Sequence, residues 1–221
     1  MNYVISICNP KEINALTGIC QELQLPFNVV LRGRGTAVKS MMDILGIESN
    51  EKRIMLSVAN SEKTKQLIKE QKRRMFIGVP GHGIVVAVPI KSVGGGKTVE
   101  FLNGDKQEAR YTPELNYSYE LIVVVANEGR TDMVMNAARA AGATGGTVLH
   151  GKGTGGEREE MFFNVSIVHE KEVVLIVTKI SQKKEIMRCI LENAGPATEA
   201  GSIVFSLPIS DVAGFGMFEE V

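Results

Sequence analysis

The residues best suited to chemistry in this chain are glycines interleaved with basic side chains. VVLRGRGTA occupies residues 29–37 and TVLHGKGTG residues 147–155, so G-[RK]-G-T occurs twice: as Gly33, Arg34, Gly35 and Thr36, and as Gly151, Lys152, Gly153 and Thr154. Glycine lets a backbone be approached closely, and guanidinium, ammonium or imidazole groups beside open amides suit a phosphate or carboxylate. Arg32, Arg34, His150 and Lys152 supply such groups. A solvated strand end has the same composition, so the tract alone leaves both readings open. More specific patterns fail. GKGTGG at residues 151–156 fits G-x-G-x-x-G after a strand, but Glu157, Arg158, Glu159 and Glu160 lead into Met161, Phe162 and Phe163 where a helix should open. Read as a phosphate loop, residues 146–153 end on Gly153, where a magnesium-binding hydroxyl is required. His82 sits in a glycine-flanked turn and His169 in an acidic loop, and neither has a metal-binding partner at ligand spacing. With no nucleophile elbow, spaced histidine pair or convergent carboxylates, hydrolytic and metal-dependent catalysis find no support.

The elements that must position these tracts repeat along the chain. At an offset of 118 residues, the apolar run 3–8 ending in Asn9 falls on 121–126 ending in Asn127. With one extra residue in the second copy, 54–58 falls on 173–177 and 84–90 on 203–209. Ile13, Leu16, Cys20 and Leu23 recur with helical period behind Asn9, Pro10 and Glu12, which form an N-cap, a first-turn proline and a box carboxylate. Val134, Ala137, Ala138 and Ala141 form the matching stripe, stopped by Gly142. Ser61 and Ser181 are expected to cap helices over 62–71 and 182–192, the second closed by Gly195 and Pro196. Each half reads strand, helix, strand, strand, helix, strand. The expected fold is therefore α+β, two tandem ferredoxin-like (βαββαβ) domains with antiparallel sheets. They span residues 1–93 and 120–221, joined by a glycine-rich and polar linker or excursion over 94–119.

The strands carry a further demand. A sheet with helices on one face and water on the other should alternate apolar and polar residues, yet residues 121–126 read LIVVVA and 173–177 read VVLIV. The helix-free face must be covered too, by the sister repeat or by other chains, so assembly is expected. Composition agrees with a folded chain: 44% hydrophobic and 23% charged residues over 221 positions need no disulfide or metal staple. Cys8, Cys20 and Cys189 are odd in number and set among apolar residues, as buried free thiols of a reducing compartment would be. Apolar runs too short for a bilayer and a start without a basic leader lead us to expect a cytoplasmic protein with no membrane insertion. As many basic as acidic residues, 25 each, argue against a nucleic-acid partner. Residues 1–118 nevertheless hold 16 basic and 11 acidic side chains, and the remainder the reverse excess.

Both halves resemble the PII nitrogen-regulatory signalling family. Copy two is closer, through RAAGATGGTVLHGKGTG from Arg139 and GSIVFSLPISDVAG ending at Gly214. The resemblance spans residues 1–93 and 120–214. It implies a ferredoxin-like domain that trimerises around its sheets, ATP or ADP in clefts between domains, 2-oxoglutarate joining through magnesium, and a long loop that docks on target enzymes and transporters. Gly33, Gly35, Gly151 and Gly153 match the loop-base glycines. The turns at 78–83, with Gly81, His82 and Gly83, and at 195–201, bounded by Gly195 and Gly201, match the phosphate-binding loop. The chain also departs from the family. That loop's lysine is replaced by Gly83 or Ser202, the glutamine after the strand-end glycines by Ala37 or Gly155, and the arginine pair past the last strand has no counterpart. These losses weigh against magnesium with 2-oxoglutarate more than against ATP or ADP. Lys97 or Arg158 could replace a phosphate contact. The docking loops, 38–52 and 156–171, are short and lack tyrosine, which removes modification at tyrosine.

The expected function is a non-enzymatic PII-like regulator linked to nitrogen metabolism. It would assemble as a homotrimer of six domains in two rings and sense a small anion, with an adenine nucleotide as candidate. Partner control would pass through its loops, without a bound metal. The alternatives are a trimeric interaction scaffold that has lost its ligand, and a small-molecule enzyme using the His150 and Lys152 cleft.

Overall fold

Runs of β-branched residues bounded by glycine, proline and asparagine become strands here, and stripes of period 3.6 become helices. The computed structural model describes residues 1–37, 50–79, 81–90, 101–102, 116–152, 160–162, 165–167 and 170–214. The chain forms two compact units: Met1–Arg32, Val38–Tyr119 and Pro208–Val221 make up the first, and Gly33–Ala37 with Glu120–Leu207 the second. Most of the linker, most of both docking loops, and Lys97, Gly153, Thr154 and Arg158 lie outside the described residues.

Unit 1 contains β1 (Asn2–Cys8), α1 (Ile13–Glu22), β2 (Asn28–Gly35), β3 (Glu51–Ala59), α2 (Ser61–Met75) and β4 (Gly83–Pro89). Its sheet runs β2-β3-β1-β4, with β1 antiparallel to both neighbours, which is the ferredoxin-like order. Unit 2 repeats it with β5 (Asn116–Asn127), α3 (Thr131–Ala140), β6 (Thr147–Lys152), β9 (Glu170–Lys179), α4 (Ile180–Ala194) and β10 (Ile203–Ile209), in the order β10-β5-β9-β6. The α+β ferredoxin-like reading therefore holds in both halves.

Three features lie beyond that reading. The last three residues of β2 belong to unit 2, where they lie antiparallel to β6. A short strand β11 (Asp211–Ala213) returns to the edge of β4 in unit 1. The expected docking loop of copy two contains a hairpin of β7 (Glu160–Phe162) and β8 (Val165–Ile167).

Helix starts differ in detail from the expected caps. Asn9 and Glu12 act as expected, the Asn9 amide donating to Glu12 Oε2 at 3.3 Å ahead of a 3-10 turn and α1. For α2 the cap is Asn60, whose Oδ1 accepts from the Lys63 amide at 2.8 Å, so Ser61 is already helical. Asparagine one residue earlier satisfies that orphan amide, and the helix starts one residue sooner. For α4 no side chain caps the start, and Ser181 lies inside the helix.

The helices cover one face of each sheet. In unit 1, Val4, Cys8, Met55, Val85 and Ala87 pack with Leu16, Ile19, Leu67 and Met75; in unit 2, Ile122, Val124, Val174 and Ile176 pack with Val134, Met135, Ile186 and Ile190. The opposite face of the same strands is also buried: Ile5, Ile7, Ile54, Val58 and Val86 in unit 1, and Leu121, Val123, Leu175 and Val177 in unit 2, all below 9% exposure in the single chain. Polar side chains in the first core are paired across the helix–sheet seam. Gln71 Nε2 donates to Ser6 Oγ at 3.0 Å and Asn2 Nδ2 to Thr64 Oγ1 at 3.2 Å, which fixes the register of α2 on β1.

All three cysteines are free; Cys8 and Cys20 are buried and Cys189 is partly exposed. Burial pushes the Cys8 thiol up to about 12, with Glu12 adding to the effect, and Cys20 up to about 11. A thiol reagent at pH 8 should therefore modify one residue, Cys189, quickly, and the other two only after unfolding. Both buried thiols have folded values above the ordinary 9.0, so their stabilising contribution is complete below pH 9 and lost as pH rises through about 11 and 12. Denaturant midpoints should accordingly fall between pH 9 and pH 11. Three equally fast thiols in native buffer would contradict this packing.

Candidate functional site

In unit 2 the first glycine tract pairs with the strand that leads into the second. Antiparallel pairing sets Gly33 opposite Leu149, Arg34 opposite Val148 and Gly35 opposite Thr147. Thr36 extends the pairing: its amide and hydroxyl each donate to the Gly146 carbonyl at 3.0 Å, and the Gly146 amide donates to Thr36 Oγ1 at 2.8 Å. The Arg139 guanidinium donates to the Thr36 carbonyl. A Cβ on Gly146 would lie 3.0 Å from the Leu175 carbonyl oxygen, so glycine is what allows this close approach.

Glu172 lies under these tracts. The β6–β9 register sets it opposite His150, and its side chain is 2% exposed. Oε2 accepts from the Thr131 amide at 3.1 Å and the Thr131 hydroxyl at 2.5 Å, at the first turn of α3. Oε1 accepts from Arg34 Nη2 at 3.1 Å and lies 3.6 Å from His150 Nδ1. A carboxylate removed from water needs this many donors, and these come from three elements. Arg34 and His150 remain roughly half exposed, at 45% and 48%.

The two glycine loops share another arrangement, one in each unit. In unit 1, Asn9 Nδ2 donates to the Gly81 carbonyl at 3.3 Å and Lys52 Nζ donates to Asn9 Oδ1 at 2.6 Å. In unit 2, Asn127 Nδ2 donates to the Glu199 carbonyl at 3.1 Å and Lys171 Nζ to Asn127 Oδ1 at 2.6 Å. Burial holds the Lys52 ammonium below its usual pKa, with Glu12 and Cys8 opposing the shift. The unit 1 loop is shaped by Phe76, Gly78, Gly81 and Gly83, all at positive φ. His82 Nδ1 stands 3.6 Å from Glu12 Oε1, and its ring meets Phe76 edge to face at 6.1 Å. In unit 2, Gly195 ends α4, while Gly201, at φ +53, has no room for a Cβ because Asn127 Nδ2 would be 2.9 Å away.

Of the expected site residues, Gly33, Arg34, Gly35, Thr36 and His150 thus come together, with Gly151 and the backbone of Lys152 continuing β6. Gly81, His82 and Gly83 form the first glycine loop, and Gly195 and Gly201 bound the second. Glu172, Thr131 and Arg139 were not expected, nor were the two asparagine–lysine pairs. The repeat offset carried a signal for the pairs, because it lays Asn9 on Asn127 and Lys52 on Lys171. Glu172 gave no such signal, since position 53 of copy one is arginine. Ser202, which the resemblance aligns with the loop lysine, is fully buried, and its hydroxyl donates to the Ala194 carbonyl at 2.5 Å. Among the described residues no group of three His, Cys, Asp or Glu side chains is arranged to hold a metal ion, and no helix is long and apolar enough to cross a membrane.

Fold and strand-end chemistry together describe a ferredoxin-like domain with basic groups around open glycines. Residues 119–215 match the family model described as Nitrogen regulatory protein P-II. Among solved structures, a PII protein of Arabidopsis thaliana bound to citrate is 23% identical over a match covering 43% of this chain and 79% of that one, with a TM-score of 0.33. No curated protein matches.

Two of the expected site glycines should respond differently to alanine. At Gly83, φ is +132 and a Cβ would lie 2.1 Å from the Ile7 carbonyl oxygen; at Gly151 no described atom comes within 4 Å. Gly83→Ala is expected to cost about 3 kcal/mol from strain and overpacking, lowering Tm by about 10 °C in a chain of this size. Gly151→Ala should leave Tm within about 2 °C, the range of a surface substitution. Differential scanning calorimetry checks both, and equal shifts would refute the contrast.

Proposed function

We propose that this chain is a PII-like signal-transduction regulator, without enzymatic activity and linked to nitrogen metabolism. It senses a small anion and controls a partner enzyme or transporter through its loops. The observation that carries the reading is the match of residues 119–215 to the P-II family model. Supporting it, Arg34 and His150 present donors beside the strand-end glycines, and Gly151 has space around it that neither its conformation nor the described packing requires. An adenine nucleotide, ATP or ADP, is the ligand we propose. Two ferredoxin-like domains joined within residues 94–119 act in the cytoplasm as a homotrimer. Large apolar side chains left exposed on the strands, Val29, Val30 and Leu31 on β2 and Ile203 and Phe205 on β10, offer surface for further chains.

A specific observation favours a second reading, a trimeric scaffold that has lost its ligand. The residues at the family's loop-lysine position cannot replace it, since Ser202 is buried and committed to Ala194 and Gly83 has no side chain. Thermal melts separate the two readings. ATP or ADP at one hundred times its Kd should stabilise the regulator by about 2.7 kcal/mol, raising Tm by roughly 5–10 °C. Gly151→Ala should shrink that shift at unchanged intrinsic stability. A flat melting temperature at millimolar nucleotide would rule out the nucleotide reading and leave the scaffold. Light scattering should give three times the chain mass of 24.0 kDa for either.

A further inference from the structure

Among the described residues of unit 2, Glu172 is a thoroughly partnered carboxylate, and it faces a guanidinium and an imidazole that it does not occupy in full. The α3 start satisfies Oε2 through the Thr131 amide and hydroxyl, so that helix terminus is already occupied by a negative group and holds no open anion site. Oε1 holds Arg34 Nη2 at 3.1 Å and stands 3.6 Å from His150 Nδ1. Because Arg34 Nη2 and His150 Nδ1 both approach one oxygen, the guanidinium and the imidazole are neighbours at this strand end. Both side chains are about half exposed, and the remaining guanidinium N–H groups and His150 Nε2 have no partner among the described residues. Arg34 comes from the first copy of the tract and His150 from the second, and the β2–β6 pairing, which sets Arg34 opposite Val148, leaves His150 two residues further along β6, a diagonal neighbour.

We propose that Glu172 is the positioning residue of a phosphate clamp in which Arg34 and His150 hold one phosphoryl group at the paired ends of β2 and β6. The inference deepens the proposed function and rests on its reading of these strand ends as an anion site. A planar carboxylate is best met by one complete guanidinium edge, and here the guanidinium is already drawn onto Glu172. A tetrahedral phosphate offers oxygens in different planes, which suits two donors arriving from different strands. The buried carboxylate aims the guanidinium and imidazole and restricts their rotamers, so less order is lost when the anion binds. Arg139 sits on the Thr36 carbonyl and stiffens the strand end that carries Arg34.

The chain has three histidines, so the ring signals of His150 can be assigned against those of His82 and His169 by single substitutions. Titrating the full chain with inorganic phosphate should move the His150 ring resonances saturably while those of His82 stay in place. Succinate should move them at least tenfold more weakly. Arg34→Ala and Glu172→Gln should each weaken the apparent Kd for phosphate about tenfold or more, and Arg34→Lys should restore only part of it. Should Glu172→Gln fail to fold, the exposed Arg34 variants carry the test. If ATP or ADP raises Tm but phosphate leaves His150 unmoved, or binds equally well without Arg34, the clamp is refuted and the nucleotide reading stands. If neither phosphate nor nucleotide binds, both fall together.

Discussion

The constraint on which the rest depends is that the central strands bury large apolar side chains on both faces. Val4 and Cys8 of β1 look toward the helices, while Ile5 and Ile7 on the reverse are as deeply buried; Ile122 and Val124 of β5 stand in the same relation to Leu121 and Val123. At roughly 1.5–3 kcal/mol for each large apolar side chain taken out of water, the reverse face of either sheet is worth as much as a small core. No substitution that serves a ligand is affordable there. Polar chemistry is pushed to the strand ends and the loops that join them, and the glycine tracts, Glu172 and the asparagine–lysine pairs all lie there.

Duplication then sets how the two units differ. The frame is retained in detail: Asn9 and Asn127 end the first strand of each copy, donate to the glycine loop and receive the lysine that opens the third strand. Charge is not retained. Position 172 of the second copy is a buried carboxylate, while its counterpart, Arg53, donates to the neighbouring Lys52 carbonyl. The pairing of the β2 end with β6 brings a cation of one copy onto the anion of the other inside unit 2. A fold supplies the frame and divergent side chains supply the function, which is why equivalent positions in the two units do not have equivalent chemistry.

Element order was legible in the sequence because it depends on periodicity and spacing, both of which are local. The strands over 3–8, 54–58, 121–126 and 173–177 and the four helices lie where the patterns put them, and the Asn9–Glu12 start could be read residue by residue. Properties that depend on register could not. Ser61 reads as a cap until Asn60 is seen to reach the Lys63 amide first. Residues 211–213 and the β7–β8 hairpin are too short to show a period. Glu172, at the open end of an apolar run, reads as a solvated rim charge. Its burial follows from being opposite His150 across the sheet and beneath the start of α3, two long-range facts with no local trace.

A buried glutamate in this place also needs a reason beyond stability. Withdrawing a carboxylate from water costs several kcal/mol before partners repay it, and an apolar residue of similar volume usually serves a core as well or better. The partners of Glu172 are also unequal: Thr131 gives it a short, enclosed pair of hydrogen bonds, whereas Arg34 and His150 keep about half their surface in solvent. A purely structural carboxylate would be expected to gather enclosed partners on both oxygens. One oxygen is fixed in the scaffold and the other meets two solvent-facing groups, which is the arrangement the proposed clamp requires.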